Sequence, residues 1–173
     1  MKKIILCLLI MSLCLSGCTS PLKRFKPTET PVSDLSGEAL LFDGSEIYQR
    51  TLALIDAAHT SVYLEQTILD DPAVIDALIR QSVAGLEIRI LLDQWQSANK
   101  ATVEQLKNHD ISVQYYPALK GQVDHINLLI SDNKQALLYG QRLAPAGLGR
   151  MLAILLPEKS SWRCAGVFAK DWE

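Results

Sequence analysis

The sequence predicts an α/β fold, a sandwich of helices around a mixed, largely parallel sheet, and three observations carry that prediction. Apolar runs of strand length alternate along the chain with segments of helical period, the pattern that crossover connections produce. The 173 residues are 49% hydrophobic and 21% charged, an ordinary balance for one globular domain. No internal repeat is visible.

Taken in order, Ala39 to Phe42 is a short apolar run closed by Asp43 and Gly44, a strand and turn. Ser45 can cap the helix that follows, in which Ile47, Leu52, Ile55 and Ala58 recur at helical spacing up to His59. Thr60 to Leu69 alternates and is rich in β-branched residues, which predicts a strand. Asp71 and Pro72 supply an N-cap and a first-turn proline, and Val74, Ile75, Leu78, Ile79 and Val83 form one face of a helix that Gly85 ends. Glu87 to Leu92 reads as a buried strand terminated by Asp93, and Ala98 to His109 as a helix with Val103 and Leu106 inward. Ser112 to Tyr116, Ile126 to Ile130, Ala136 to Tyr139 and Met151 to Leu156 are further strands, the middle two joined by the turn sequence Ser131 to Lys134. Glu158 to Trp172 closes the chain as a helix.

The N-terminus has a different character. Lys2 and Lys3 precede the apolar run Ile4 to Leu15, too short to span a bilayer core of about 30 Å as a helix but suited to a secretory signal. Leu15, Ser16, Gly17 and Cys18 resemble the bacterial lipobox. That resemblance implies removal of residues 1–17, acylation of Cys18, and a lipid anchor on the extracytoplasmic side of the cell envelope; the alternative is a plain secretory signal with a chance cysteine. Residues 18–36, with Pro21, Pro27 and Pro31 and no apolar period, read as a tether, and residues 37–173 as the domain.

Removing Lys2 and Lys3 from the 17 basic residues leaves 15 against 19 acidic ones, a net charge of −4 for the processed chain. That acidity disfavours nucleic acid as the partner, although a local basic patch is compatible with it. Of four cysteines only Cys164 lies in the folded domain, which excludes an intrachain disulfide framework and a cysteine-based zinc site.

Three histidines are available for chemistry. His59 ends a helix and His109 sits in a polar turn between Asn108 and Asp110, both settings of surface residues. His125 begins a strand with Asn127, Leu129 and Ser131 on the same face by the two-residue period. Read alone, it is equally a strand-edge histidine paired with Asp124 or Asp132.

His125, Asn127 and Asp132 together resemble the HxKxxxxD motif of the phospholipase D superfamily, with asparagine in the lysine place. The flanks extend the likeness to the cardiolipin-synthase type over residues 37–173. The Leu40 to Gly44 opening, the stretch Ala84 to Asp93, and Phe168 with Asp171 and Trp172 near the end all match that pattern. The resemblance implies a phospholipase D-like α/β/α sandwich and metal-free, cofactor-free chemistry. In that chemistry His125 attacks phosphorus, Asp132 supports it, and the neighbouring polar groups hold the phosphoryl oxygens.

This chain departs from the family pattern where phosphate is bound. Asn127 removes a positive charge, and in the following glycine-rich stretch, Tyr139 to Arg142, Gly140 fits while Arg142 stands in the asparagine place. Arg142 can return a cation to the site through its fork of donors. A second motif, which in the family supplies the histidine that protonates the leaving oxygen, is absent from the sequence. A second copy in a homodimer, or a partner chain with the other half, would supply it. The leading expectation is a membrane-anchored phosphodiesterase or phosphatidyltransferase acting on phospholipid or another phosphodiester. A dimeric nuclease and a non-catalytic binding module are the alternatives. An apolar groove beside the motif marks the first, and a lysine- and arginine-lined one the nuclease.

Overall fold

The structure, a computed structural model, describes residues 40–116, 119, 121, 126–140, 142, 143 and 149–173. The elements run β1 (Leu40–Asp43), α1 (Gly44–Asp56), β2 (Ser61–Gln66), α2 (Pro72–Val83), β3 (Glu87–Asp93), α3 (Asn99–Lys107), β4 (Ser112–Tyr116), β5 (Leu128–Ser131), β6 (Gln135–Tyr139), β7 (Arg150–Leu156) and α4 (Glu158–Trp172).

The seven strands form one sheet in the order β1-β7-β6-β5-β2-β3-β4. It is mixed, as expected, and its parallel character resides in strand direction rather than in pairing. Five strands (β1, β2, β3, β4 and β6) point one way, yet only the β2·β3 and β3·β4 ladders are parallel. The cause is the β5–β6 hairpin, which enters beside β2 and brings antiparallel neighbours with it.

Alternation along the strands builds two apolar faces. On one, Val62 and Leu64 of β2, Ile88, Ile90 and Leu92 of β3 and Leu129 of β5 pack under Ile47, Leu54 and Ile55 of α1, Val74 and Leu78 of α2, and Val103 and Leu106 of α3. On the other, Leu91, Leu128, Ile130 and Ala136 pack under α4 through Phe168, with Tyr63, Leu138 and Leu156 at the margin. The result is a three-layer α/β/α arrangement.

Several local readings shift. The first helix is capped by Asp43, not Ser45: the Asp43 carboxylate accepts from the Glu46 N–H at 3.0 Å, so Gly44 already belongs to the helix rather than to a turn. Asp71 caps α2 with Pro72 in the first turn, its carboxylate accepting from the Val74 N–H at 3.0 Å, as the residue types dictate. Val83, placed on the apolar face, is 79% exposed, because it lies in the last turn beyond the packed part of α2. The strand at Thr60 to Leu69 ends at Gln66, since Thr67 to Asp71 form a loop whose backbone is bonded by side chains rather than by the ladder.

Candidate functional site

At the end of the sheet where β2 and β3 finish and β5 begins, loops rather than neighbouring strands complete the backbone hydrogen bonding, the position at which open α/β sheets bind ligands. His125, the proposed nucleophile, lies outside the described residues, as do Cys18 and Gln141. Asn127, two positions on, is described and buried. Its carbonyl accepts from the Tyr139 N–H at 3.0 Å, and its side-chain Oδ1 accepts from the Thr67 N–H at 3.4 Å. Asparagine in the lysine place therefore carries part of the local structure, tying the start of β5 to the loop after β2.

Continuing the β2·β5 and β5·β6 registers sets Gln66 and Tyr139 on either side of Asn127. Three buried polar atoms gather at this end, Gln66 Oε1, Tyr139 Oη and Asp71 Oδ2, and none has a hydrogen-bond partner among the described residues. Such atoms are rare in folded interiors and mark places where water or a ligand completes the bonding. Burial pushes the Tyr139 phenol above its ordinary range and keeps it protonated. Burial, with the hydrogen bond it donates to Asp71 at 3.0 Å, does the same to Tyr48.

The loop Thr67 to Asp71 that overhangs this end is pinned by residues that the sequence pattern did not single out. Asn99 donates from Nδ2 to the carbonyls of Thr67 at 2.9 Å and Asp93 at 3.0 Å, and accepts from the Leu69 N–H at 3.0 Å. Thr102 donates from Oγ1 to the Leu69 carbonyl at 2.7 Å. Both face away from solvent on α3, where the helical pattern showed only that they lie near Val103 and Leu106. An asparagine in the first turn of a helix that follows a strand was the available signal.

Arg142 is half-exposed and forms an ion pair with Asp70 at 2.8 Å. Arg142, the cation expected to return charge to the site, is held here by a carboxylate that no spacing pattern pointed to. Such an exposed pair contributes little to stability. Arg142→Ala is expected to weaken binding of inorganic phosphate about 10-fold, and Asp70→Asn to strengthen it by removing the competing anion. Calorimetric titration of each variant checks both, and unchanged affinity in Arg142→Ala removes Arg142 from the site.

Gly140 borders the same region. Its N–H donates to the Leu152 carbonyl at 3.1 Å, so it belongs to the sheet and is not a free phosphate donor. A Cβ there would meet only that carbonyl oxygen, at 3.8 Å, an ordinary contact. On the α4 face of the sheet, opposite to the face that Asn127 and Tyr139 share with Leu129, opens a cavity of about 350 Å³ bordered by Asn127 and Gly140 and walled by Ile126, Leu138, Leu152 and Ile154, with no lysine or arginine among the described residues of its lining.

For Asp132 the structure gives a different task from the one the resemblance implies. It lies beyond the far end of β5 from Asn127, about 16 Å away along an extended chain. Its carboxylate accepts from the backbone N–H groups of His59, Thr60 and Ser61 at 3.0, 2.7 and 3.0 Å, and from the Thr60 hydroxyl at 2.8 Å. Asp132 and Asn133 both hold positive φ, in a turn closed by the Lys134 N–H on the Ser131 carbonyl. Aspartate and asparagine suit that left-handed backbone because short polar side chains tolerate it. Asp132 is an anchor between the β5–β6 turn and the α1–β2 connection, remote from the groove. His59 takes part through its backbone N–H, and His109 is an exposed residue whose Nδ1 sits 2.9 Å from the Gln105 carbonyl. Glu65, near the end of β2, is fully buried.

The structure therefore sets Asn127 beside Gly140, ties Arg142 through Asp70 to the same Thr67–Asp71 loop that Asn127 bonds, and separates Asp132 from them. Among the described residues no group of three or more His, Cys, Asp or Glu could hold a metal ion.

Comparison with known proteins follows the same line. A family model described as cardiolipin synthase, PLD-like domain, matches residues 51–141. That is a little over half of the chain, and it includes Asn127, Asp132 and Gly140. No curated protein matches the sequence. Among solved structures, the chain is similar to a phospholipase D family member, Nuc from Salmonella typhimurium. The TM-score is 0.63 and the identity 18%, over 72% of this chain and 85% of that one. NucT from Helicobacter pylori superposes with a TM-score of 0.69 at 13% identity, over 77% and 93% of the two chains. Phosphatidylserine synthase from Haemophilus influenzae gives 0.61 at 17% identity, over 79% of this chain and 37% of that one. At these identities the likeness is one of fold.

Proposed function

The chain belongs to the cardiolipin synthase, PLD-like family, and from that membership we propose that it is a lipid-anchored phosphodiesterase or phosphatidyltransferase acting on phospholipid head groups at the envelope surface. The observation that carries the phospholipid reading is the apolar groove beside Asn127 and Gly140, walled by Ile126, Leu138, Leu152 and Ile154. A polynucleotide backbone calls for cations along its path, and among the described residues none lines this groove.

In this reading His125 forms a nitrogen–phosphorus bond as the bond from phosphorus to the leaving alcohol oxygen breaks. A histidine from a second copy or a partner chain gives that oxygen its proton, then deprotonates the water or alcohol that releases the phosphoryl group. The Asn127 amide and Arg142 face the phosphoryl oxygens. A non-catalytic binding module is a second reading, favoured by two observations: Asn127 is bonded to Thr67, and Arg142 is already paired with Asp70.

The test is turnover by the full chain in vesicles of labelled phosphatidylglycerol, with duplex DNA offered in parallel and His125→Ala as the control. Head-group release from the lipid is expected, with none from DNA and with loss of release in His125→Ala. Release that persists in His125→Ala overturns the phosphohistidine route. Lipid binding without release identifies the binding module.

A further inference from the structure

Helix α4 covers only part of its face of the sheet. Its core reaches Leu91, Leu128, Ile130 and Ala136, with Leu138 and Leu156 at the margin. Toward β1 and β7 the same face is open. Phe42 is 62% exposed, Leu152 51% and Ile126 37%. Leu152 lines two neighbouring cavities, the groove of about 350 Å³ and a second of about 660 Å³ walled by Phe42, Asp43, Arg150 and Met151. Sharing the Leu152 wall, they give a trough at the sheet edge that is apolar on the Ile126, Leu138 and Ile154 side and carries Asp43 and Arg150 on the other. Isolated apolar side chains are normal on a surface, whereas a continuous trough with a polar rim marks a contact surface.

We infer that this trough docks on the lipid bilayer, so that Phe42 and Leu152 enter the interface and the neighbouring groove walled by Ile126, Leu138 and Ile154 meets the lipid. The position of the N-terminal chain argues for that occupant. Residues 18–39 join Cys18 to the sheet, and they enter at Leu40, two residues before Phe42. A lipid on Cys18 would hold the trough at a high effective concentration against the membrane, where even a small apolar contact engages. The inference rests on the proposed lipid anchor for the tether, but it goes beyond it by fixing which face meets the bilayer.

Depth-dependent quenching tests it. The full chain carrying Phe42→Trp is placed with vesicles containing brominated phosphatidylglycerol. Val83→Trp, at an exposed position of α2 on the opposite side of the sheet, serves as the control. With Trp95, Trp162 and Trp172 replaced by phenylalanine in both variants, docking is expected to quench Phe42→Trp about twofold or more beyond the quenching of Val83→Trp. Leu152→Trp repeats the measurement if Phe42→Trp does not fold. Equal quenching at both positions, or none at either, overturns the inference. An unquenched Phe42→Trp in a chain that light scattering finds dimeric also overturns it, by giving the trough to a second copy. Mass analysis of Cys18 judges the anchor separately: an unacylated Cys18 removes the anchor, while quenching by added vesicles still decides the docking face.

Discussion

Asp132→Ala is expected to destabilise the domain by about 2–3 kcal/mol, read as a fall in the denaturant midpoint at unchanged slope. Each hydrogen bond to an ionised carboxylate is worth about 1.5–3 kcal/mol on its own. Asp132 accepts from three backbone N–H groups and a hydroxyl, but the bonds share two oxygens in a partly exposed position, and their energies do not add. The carboxyl responds to two opposed influences. Burial raises its pKa, while the donors on Ser61, Thr60 and His59 lower it further, and the net result is about 2 against an ordinary 3.8. A folded-state pKa below the unfolded one contributes stability that is complete above about pH 4 and disappears as pH falls through about 2. After discounting for solvent screening, that pH-dependent share is about 1–2 kcal/mol. The stability gap between the natural chain and Asp132→Asn should therefore narrow from pH 4 to pH 2; a gap that stays constant across that range contradicts the ionised anchor. Because Asp132 is remote from the groove, turnover by folded Asp132→Ala should stay near the natural value at low temperature. A lost turnover with intact fold would return Asp132 to the chemistry.

Phe168→Ala should be the more damaging substitution, costing about 3–5 kcal/mol. Phe168 is 1% exposed and is the main buried residue of α4, stacked on Tyr63 at 5.3 Å and on Trp172 at 5.8 Å between ring centroids. Removing the ring opens a cavity between helix and sheet and breaks both stacks, each worth about 0.5–1.5 kcal/mol beyond area burial. Arg89 lies 5.6 Å from the centroids of both Tyr63 and Trp172, so the guanidinium loses its aromatic seat as well. Chemical denaturation followed by near-ultraviolet dichroism checks this, and a loss under about 1 kcal/mol would mean that α4 is held elsewhere.

What the sequence made legible was whatever a local period encodes. Val74, Ile75 and Leu78 marked α2, the run Ile88 to Leu92 marked β3, and the Asp71–Pro72 pair marked a helix start, because each signal lies within a few residues of the element it specifies. Pairing partners are not local. Nothing between Leu128 and Tyr139 says that the hairpin inserts beside β2 and makes most ladders antiparallel. The site divides in the same way. Asn127 and Gly140 could be placed by spacing, whereas the Arg142–Asp70 pair and the Asn99 bonds to Thr67, Leu69 and Asp93 depend on loops meeting across the fold. Asp132 was found as a motif position, but its work as a backbone anchor was not legible, because a spacing rule does not reveal which amides a carboxylate will reach.

The sheet order also governs when the fold can be finished. Strand β1 is the first of the described elements to emerge from synthesis, yet its ladder partner is β7, with Leu40 opposite Ile154 and Leu41 opposite Ala153. Until nearly all of the chain is available, β1 presents unpaired N–H and C=O groups and the exposed Phe42 ring, a combination prone to adventitious strand pairing. Such a long-range closure also slows folding. For a chain threaded through a membrane from its N-terminus, completion would wait for the C-terminal strand to arrive. Any truncation that removes β7 would leave β1 with no place in the sheet.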